Sequence, residues 1–115
     1  MTTPVLLRPV VRAAGWLAVS GQLGVRDGQL TGGVSDQTAQ ALANLGATLA
    51  GHGAVLADVV KVNVFLTGMG DYDAMNREYV AVFDADPPAR TAVAVSELPF
   101  GAAVEIEAWA YCADL

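Results

Sequence analysis

Positive charge is scarce in this sequence. Its 115 residues contain six lysines and arginines against twelve aspartates and glutamates, which gives a formal net charge of −6. The six cations are spread along the chain as Arg8, Arg12, Arg26, Lys61, Arg77 and Arg90. Proteins that bind nucleic acids or anionic membranes need clustered cations to neutralise phosphates. We therefore expect neither a nucleic acid nor a membrane surface as a partner.

Cysteine and histidine are nearly absent. Because Cys112 is the one cysteine and His52 the one histidine, no internal disulfide can form and no Cys/His cluster exists for a metal. His52 lies between two glycines at a predicted helix end, and the favoured interpretation is a solvent-exposed side chain near the helix terminus. The sequence also lacks a phosphate-binding glycine loop, a GxSxG motif and an HExxH motif. We expect no metal and no cofactor.

Long apolar segments are missing as well. The first ten residues, MTTPVLLRPV, contain no apolar run typical of a signal peptide, and no stretch suits a membrane-spanning helix. The cytoplasm is the simplest location to expect.

Apolar residues are abundant. They make up 54% of the chain, while charged residues make up 16%, against about 25% in typical soluble domains. The length predicts a single domain over residues 1–115. A small domain with few charges is expected to bury part of its surface against other copies of itself. The alternative is that frequent alanine raises the apolar fraction without creating an adhesive surface.

Short apolar or alternating segments predict five or six strands. The main candidates are 16–22, 25–30, 58–66, 90–96 and 104–111. Within 25–30, Asp27-Gly28 is a strong hairpin turn signal. The alternation over 58–66 predicts one face made of Val60, Val62, Val64 and Leu66.

Two helices are predicted from apolar residues at helical spacing. The first covers 36–50, with Ser35 or Asp36 as its N-cap and Gly51 and Gly53 after its end.

The second helix is expected to begin after Asp71 and to end before Pro87 and Pro88. Its apolar side is formed by Tyr72, Met75, Tyr79, Val82 and Phe83. Asn76 lies on this same side. Two helices can cover only one face of such a sheet, so the other face, which bears Val, Ala, Phe and Trp, also needs cover. The fold class predicted is α/β (α+β).

A small set of polar residues could support chemistry. Arg90 follows two prolines and can grip a carboxylate with two parallel hydrogen bonds, although a solvated surface arginine would look the same. Asn76 is a buried amide that needs partners, with a purely structural hydrogen bond as the alternative. Glu105 alternates with Glu107, and both could simply be solvated. Ser20 could equally be a strand-end hydroxyl.

Several short motifs occur together in a fixed order. They are SGQ at 20–22, MN at 75–76, PAR at 88–90, LPFG at 98–101 and VEIEA at 104–108. From about Ser20 to Ala110, the chain resembles the YjgF/RidA family of enamine/imine deaminases. The resemblance implies a chorismate-mutase-like fold with a mixed sheet and two helices on one face. It also implies a homotrimer with sites in the clefts between subunits.

The resemblance assigns roles to the polar set. It implies that Arg90 binds the substrate carboxylate and that Glu105 is linked to the reacting water. Asn76 and Ser20 match the asparagine and serine of the family motifs, and Thr91 is a further candidate for substrate binding. The implied reaction converts 2-imino or enamine acids, such as 2-aminoacrylate, to 2-keto acids and ammonia.

The chain departs from the family pattern at three positions. Ala92 stands where active members often have cysteine, Leu7 where they often have tyrosine, and Gly24 where they have proline. These changes alter the wall of the predicted pocket and leave Arg90, the predicted ligand of the carboxylate, in place. They keep open an alternative function, a trimer that binds or senses small keto acids without turnover. A ribonuclease function, an old label of this family, is disfavoured by the charge of −6.

Overall fold

The computed structural model describes residues 6–113 and contains one mixed sheet with two helices. The strands are β1 (Val10–Ala13), β2 (Trp16–Leu23), β3 (Val25–Arg26), β4 (Gln29–Leu30), β5 (Val59–Leu66), β6 (Ala89–Ala94) and β7 (Val104–Tyr111). The helices are α1 (Val34–Ala50) and α2 (Tyr72–Val82). The predicted fold class is confirmed.

The main sheet has the strand order β1-β2-β7-β5-β6, and β3 and β4 form a separate two-stranded hairpin. Strands β5 and β6 are parallel, whereas the other neighbouring pairs are antiparallel. Parallel neighbours need a crossover connection, and α2 provides it. This crossover places α2 beside β6, the edge strand that begins just after the two prolines.

The core lies between the sheet and the helices. Its centre includes Leu17, Leu42, Leu45, Val62 and Ile106, each at most 1% exposed. Burying each of these side chains contributes roughly 1.5–3 kcal/mol. Because the buried residues of β7 alternate with half-buried and exposed ones, Glu105, Glu107 and Trp109 face away from this core.

The turn between β3 and β4 agrees with the prediction. Asp27 has a φ of 53° and Gly28 a φ of 81°. Two successive residues with positive φ are the requirement of a type I′ hairpin turn, for which Asp-Gly is a preferred pair.

The predicted cap of α1 was wrong. The helix begins at Val34, and Gly33 is its N-cap in an extended conformation. The Gly33 carbonyl accepts a hydrogen bond from the Gln37 N–H at 2.9 Å, which places Ser35 and Asp36 inside the first turn. Asp36 still favours the helix there, because a carboxylate in the first turn complements the helix dipole.

The predicted face of β5 was wrong at one residue. Val62, Val64 and Leu66 are fully buried, but Val60 is 45% exposed and Val59 is buried instead. The pairing with β7 shifts register between Val59 and Lys61. A β-bulge of this kind breaks the alternation, so Val59 takes the core position.

The sheet face opposite the helices carries large apolar side chains in partial contact with solvent. Val11, Trp16, Val93, Trp109 and Tyr111 are each between 41% and 44% exposed. We call this surface the open face. Its composition agrees with the expectation that it needs cover, and the homotrimer stays a prediction. Within residues 6–113, no helix is both long enough and apolar enough to cross a membrane.

Candidate active site

Arg90 lies on the edge strand β6 and points toward the helices. It pairs with Val62 of β5, whose side chain is fully buried, and neighbouring residues of paired strands point to the same face. Pro87 and Pro88 lead into the strand, and their rings fix the backbone φ angles of the approach. The guanidinium of Arg90 therefore lies on the face of the sheet that α2 covers.

Two residues of α2 hold the guanidinium. Arg90 Nη1 donates a hydrogen bond to Asn76 Oδ1 at 2.7 Å, and Nη2 donates one to Tyr72 Oη at 2.6 Å. Tyr72 and Asn76 are four residues apart, so they lie one above the other on the same face of the helix. Both partners are neutral, and these contacts leave the positive charge of Arg90 uncompensated.

Tyr79, one turn further along α2, supports the flat side of the same guanidinium. The Arg90 Cζ atom lies 4.6 Å from the Tyr79 ring centroid, which is a cation–π contact. Tyr79 is 4% exposed, and its hydroxyl has no hydrogen-bond partner among the residues described. Burial raises the pKa of Tyr79, and the charge of Arg90 opposes this rise.

A cavity of ≈ 330 Å³ opens beside these groups. Its polar lining includes Arg90, Asn76 and Asp84. Its apolar lining is formed by Val80, Phe83, Pro87 and Pro88, with the Tyr79 ring beside them. A volume of this size is sufficient for a small organic acid.

Glu105 lies on the open face of β7 and packs over Gly21. A Cβ atom at residue 21 would collide with the Glu105 carboxylate, so this close approach requires glycine. The pairing of β2 with β7 is irregular between Val19 and Gln22, and Ser20-Gly21 falls in that irregularity. Burial is the main cause that raises the pKa of Glu105, and the nearby charge of Glu107 adds to it.

The two remaining predicted site residues already have partners. The Ser20 hydroxyl donates a hydrogen bond to the Arg8 carbonyl at 2.7 Å, which ties the N-terminal segment to β2. Thr91 Oγ1 accepts a hydrogen bond from Lys61 Nζ at 2.7 Å on the open face. Ser20 can thus still accept a hydrogen bond, and Thr91 can still donate one.

The structure brings Arg90 together with Asn76 but does not bring Arg90 together with Glu105 in one protomer. Arg90 aligns with Val62 and through it with Ala108, three residues beyond Glu105 on β7. The backbone positions of Arg90 and Glu105 are therefore about 10 Å apart perpendicular to the strands and about 10 Å apart along them. Their side chains also point to opposite faces of the sheet.

The three positions that depart from the family pattern differ in their packing and exposure. Gly24 is packed so closely on the Gln37 backbone that a Cβ atom there would collide with it, which explains why a larger residue is absent. Leu7 is 64% exposed. Ala92 packs against the core, two residues after Arg90 on the same face.

Sequence reasoning missed Tyr72 and Tyr79 as site residues. Both were assigned to the apolar side of the second helix, where their rings do pack. The available signal was the hydroxyl group, since Tyr72, Asn76 and Tyr79 form a row at helical spacing with three polar groups on an otherwise apolar side. Within residues 6–113, no group of three His, Cys, Asp or Glu residues could hold a metal ion.

Comparison with known proteins shows the family to which this chain is similar. A family model described as Endoribonuclease L-PSP matches residues 6–112. A RutC family protein of Pyrococcus horikoshii is 41% identical over 104 residues, which cover 88% of this chain and 82% of that protein. A protein of Dermatophagoides farinae named 2-iminobutanoate/2-iminopropanoate deaminase is 37% identical over 116 residues, covering 93% of this chain and 91% of that protein.

A solved structure agrees with the sequence matches. The crystal structure of Escherichia coli TdcF with bound serine superposes with a TM-score of 0.90 at 30% identity, covering 96% of this chain and 91% of that one. The chain belongs to the YjgF/RidA family, as the motifs predicted.

Proposed function

We propose that this protein hydrolyses reactive 2-imino and enamine acids to 2-keto acids and ammonia. The observation that supports this most directly is the state of Arg90. Its guanidinium is held in a fixed orientation beside a cavity, and its hydrogen-bond partners Asn76 and Tyr72 are both neutral. Such a group is prepared to bind one carboxylate through a pair of charge-assisted hydrogen bonds.

The complete site is assembled between copies of the chain. Because Arg90 and Glu105 lie on opposite faces of one protomer, Arg90 of one copy works with Glu105 of a neighbouring copy. The homotrimer that the family resemblance implies is the proposed source of this arrangement, and the exposed apolar side chains of the open face support burial against a partner. The proposed assembly is thus a requirement of the chemistry.

In the proposed reaction, Arg90 binds the substrate carboxylate and so fixes the C2 carbon. Glu105 takes a proton from a water molecule as the water attacks C2 of the C=N bond, and the electron pair of that bond moves to nitrogen. Glu105 then passes the proton to the nitrogen, and the C–N bond breaks with its electron pair moving to nitrogen. The hydroxyl on C2 gives its proton back to Glu105 as the C2 carbonyl forms and ammonia leaves. An enamine first takes a proton at C3 to become the imine.

The hydroxyls of Ser20 and Thr91 have complementary roles in this proposal. Because Thr91 lies on the open face, it belongs in this proposal to the copy that supplies Glu105. Its Oγ1 accepts from Lys61 and retains its own hydrogen, which it donates to the substrate carboxylate. Ser20 donates to the Arg8 carbonyl and retains lone pairs, which accept from the imine N–H.

The proposed reaction needs no cofactor. The carbon of a protonated imine is already electrophilic, so orientation of a water and one proton relay are sufficient assistance. The names of the related deaminases and the serine bound to the Escherichia coli relative agree with a small substrate that carries a carboxylate.

The test follows the decay of an imino acid produced in solution from threonine or serine by a dehydratase. We expect wild-type protein to accelerate the decay and Arg90→Ala to lose at least about 100-fold in kcat/KM, since the carboxylate then lacks its ligand. Arg77→Ala removes an exposed arginine from α2 and is the matched control.

Unchanged decay at high wild-type protein concentration would refute the deaminase proposal. Full activity of Arg90→Ala would place the carboxylate elsewhere.

A second candidate is a trimer that binds small keto acids without turnover. The absence of cysteine and tyrosine side chains at Ala92 and Leu7 favours it, because both positions have lost a polar group. Titration with 2-ketobutyrate by calorimetry, combined with the decay assay, separates the two functions. Binding without acceleration of imine decay supports the second candidate, and turnover excludes it.

A further inference from the structure

The hydroxyl of Tyr72 makes a hydrogen bond that its apolar packing does not require. Tyr72 begins α2 and is half-buried, with its ring against the core cluster. Its Oη nevertheless accepts a hydrogen bond of 2.6 Å from Arg90 Nη2, a distance at the short end for N–H···O hydrogen bonds. A phenylalanine would fill the same space without making this bond.

We propose that Tyr72 is a positioning residue that sets the orientation in which Arg90 meets its ligand. This inference rests on the proposed function of Arg90 as the carboxylate ligand. One hydrogen bond to Asn76 would leave the long arginine side chain free to rotate about that contact. A second bond to Tyr72, on the other terminal nitrogen, fixes the plane of the guanidinium.

The chemistry of the holding groups suits this role. A guanidinium has five N–H donors, and Tyr72 and Asn76 use two of them, so three remain for a ligand. Because a phenol and an amide are neutral, they orient Arg90 without competing for its charge. An aspartate or glutamate at either position would form an ion pair and weaken the attraction for a carboxylate ligand.

The face of the guanidinium is restricted as well. The Tyr79 ring lies 4.6 Å from Arg90 Cζ, whereas the Tyr72 ring centroid is 5.5 Å away. Tyr79 therefore supports the flat side and Tyr72 acts mainly through its oxygen. Deleting that single oxygen separates its effect from that of the ring.

The test is Tyr72→Phe, measured in the intact assembly. We expect KM for the imino acid, and Kd for 2-ketobutyrate, to rise about tenfold, which is the usual loss when one hydrogen bond to a charged group is removed. We expect kcat to stay within about twofold of the wild-type value, because the substitution leaves Glu105 and its water in place. It weakens binding of the substrate and of the transition state equally, which raises KM without lowering kcat. Thr48→Val, which removes a hydroxyl from α1 and keeps the shape of the side chain, is the control and should leave KM, Kd and kcat unchanged.

A second measurement does not depend on turnover. The rate at which phenylglyoxal modifies Arg90, read by mass spectrometry of the peptide that contains it, should rise at least about threefold in Tyr72→Phe, since the guanidinium loses one of its two hydrogen bonds. Thermal denaturation of both variants verifies that the fold is kept. The rate of Arg90 modification in Thr48→Val should equal that of the wild type.

The outcomes separate this inference from the proposed function. If wild-type protein neither binds 2-ketobutyrate nor accelerates imine decay, the proposed function fails, and Arg90 modification alone decides whether Tyr72 holds the guanidinium. If turnover and binding occur but Tyr72→Phe leaves KM, Kd and the modification rate at wild-type values, the positioning role is refuted. A fall in kcat with unchanged KM would also refute it.

Discussion

Arg90 and Glu105 differ in the charges that surround them. Arg90 is bonded to neutral Tyr72 and Asn76, whereas Glu105 shares the outer face of β7 with Glu107. Burial and this second carboxylate both favour the protonated form of Glu105. A glutamate with a raised pKa holds its proton more readily, which suits a group that takes a proton from water and then returns it to nitrogen.

The raised pKa of Glu105 makes stability depend on pH. Because the folded state binds this proton more tightly than the unfolded state does, stability is greatest below the unfolded value and falls as pH rises through the folded pKa. We expect Glu105→Gln, which removes this partly buried charge, to raise the melting temperature relative to wild type at pH 7. The difference should shrink toward zero below about pH 4, where the carboxyl is protonated in the folded and in the unfolded state alike.

The control for this measurement is Glu97→Gln, which removes an exposed carboxylate and so accounts for the loss of one negative charge from a chain of net charge −6. If the effect of Glu105→Gln on melting temperature grew as the pH fell, the pKa of Glu105 would be lowered in the folded protein, contrary to the account.

At the scale of secondary-structure elements, the local signals identified the hairpin and both helices, although the predicted cap of α1 was wrong. Features that depend on strand pairing were not predicted. The hairpin at Asp27-Gly28 and both helices follow from turn chemistry and helical spacing, which are properties of adjacent residues. Strand β1 was not predicted, because Val10–Ala13 is short and becomes a strand only by pairing with β2. The bulge of β5 likewise depends on its register with β7.

The site was predictable to a similar extent. The sequence identified Arg90 and Asn76 separately, but their contact arises from the crossover that carries α2 back to β6 beside β5. The part played by Tyr72 was hidden because a tyrosine at an apolar helical position is accounted for by packing alone. Its hydroxyl becomes informative only when Arg90 is placed 2.6 Å away.

The contact between β2 and β7 gives a prediction at the level of elements. Gly21→Ala places a Cβ where the Glu105 carboxylate lies, so the carboxylate must move by about 1 Å or more. A displacement of this size in a reacting group reduces kcat by about 100-fold. The rate of imine decay catalysed by the Gly21→Ala variant measures this loss of kcat.

The matched control is Gly70→Ala, because no atom lies within 4 Å of a Cβ added at that position. It should keep wild-type activity. Wild-type kcat in Gly21→Ala would show that the position of the Glu105 carboxylate is unimportant for turnover.

At the scale of the whole molecule, one protomer does not bring the two proposed catalytic residues together. Arg90 faces the helices at the sheet edge, Glu105 faces the opposite side, and large apolar groups such as Trp109 are 44% exposed on the open face. Burial of the open face in an assembly would remove its apolar side chains from water. It would also place a second protomer next to Glu105. The location of the protein in the cell stays a prediction.

The most direct test of this account is complementation between two inactive variants. Arg90→Ala and Glu105→Gln are each unable to complete the proposed cleft, but mixed trimers contain clefts in which an intact Arg90 meets an intact Glu105 from the neighbouring chain. After the two variants are unfolded and refolded together at equal amounts, random assembly should restore about a quarter of wild-type imine-hydrolysing activity. Activity no higher than that of either variant alone would contradict a site shared between protomers.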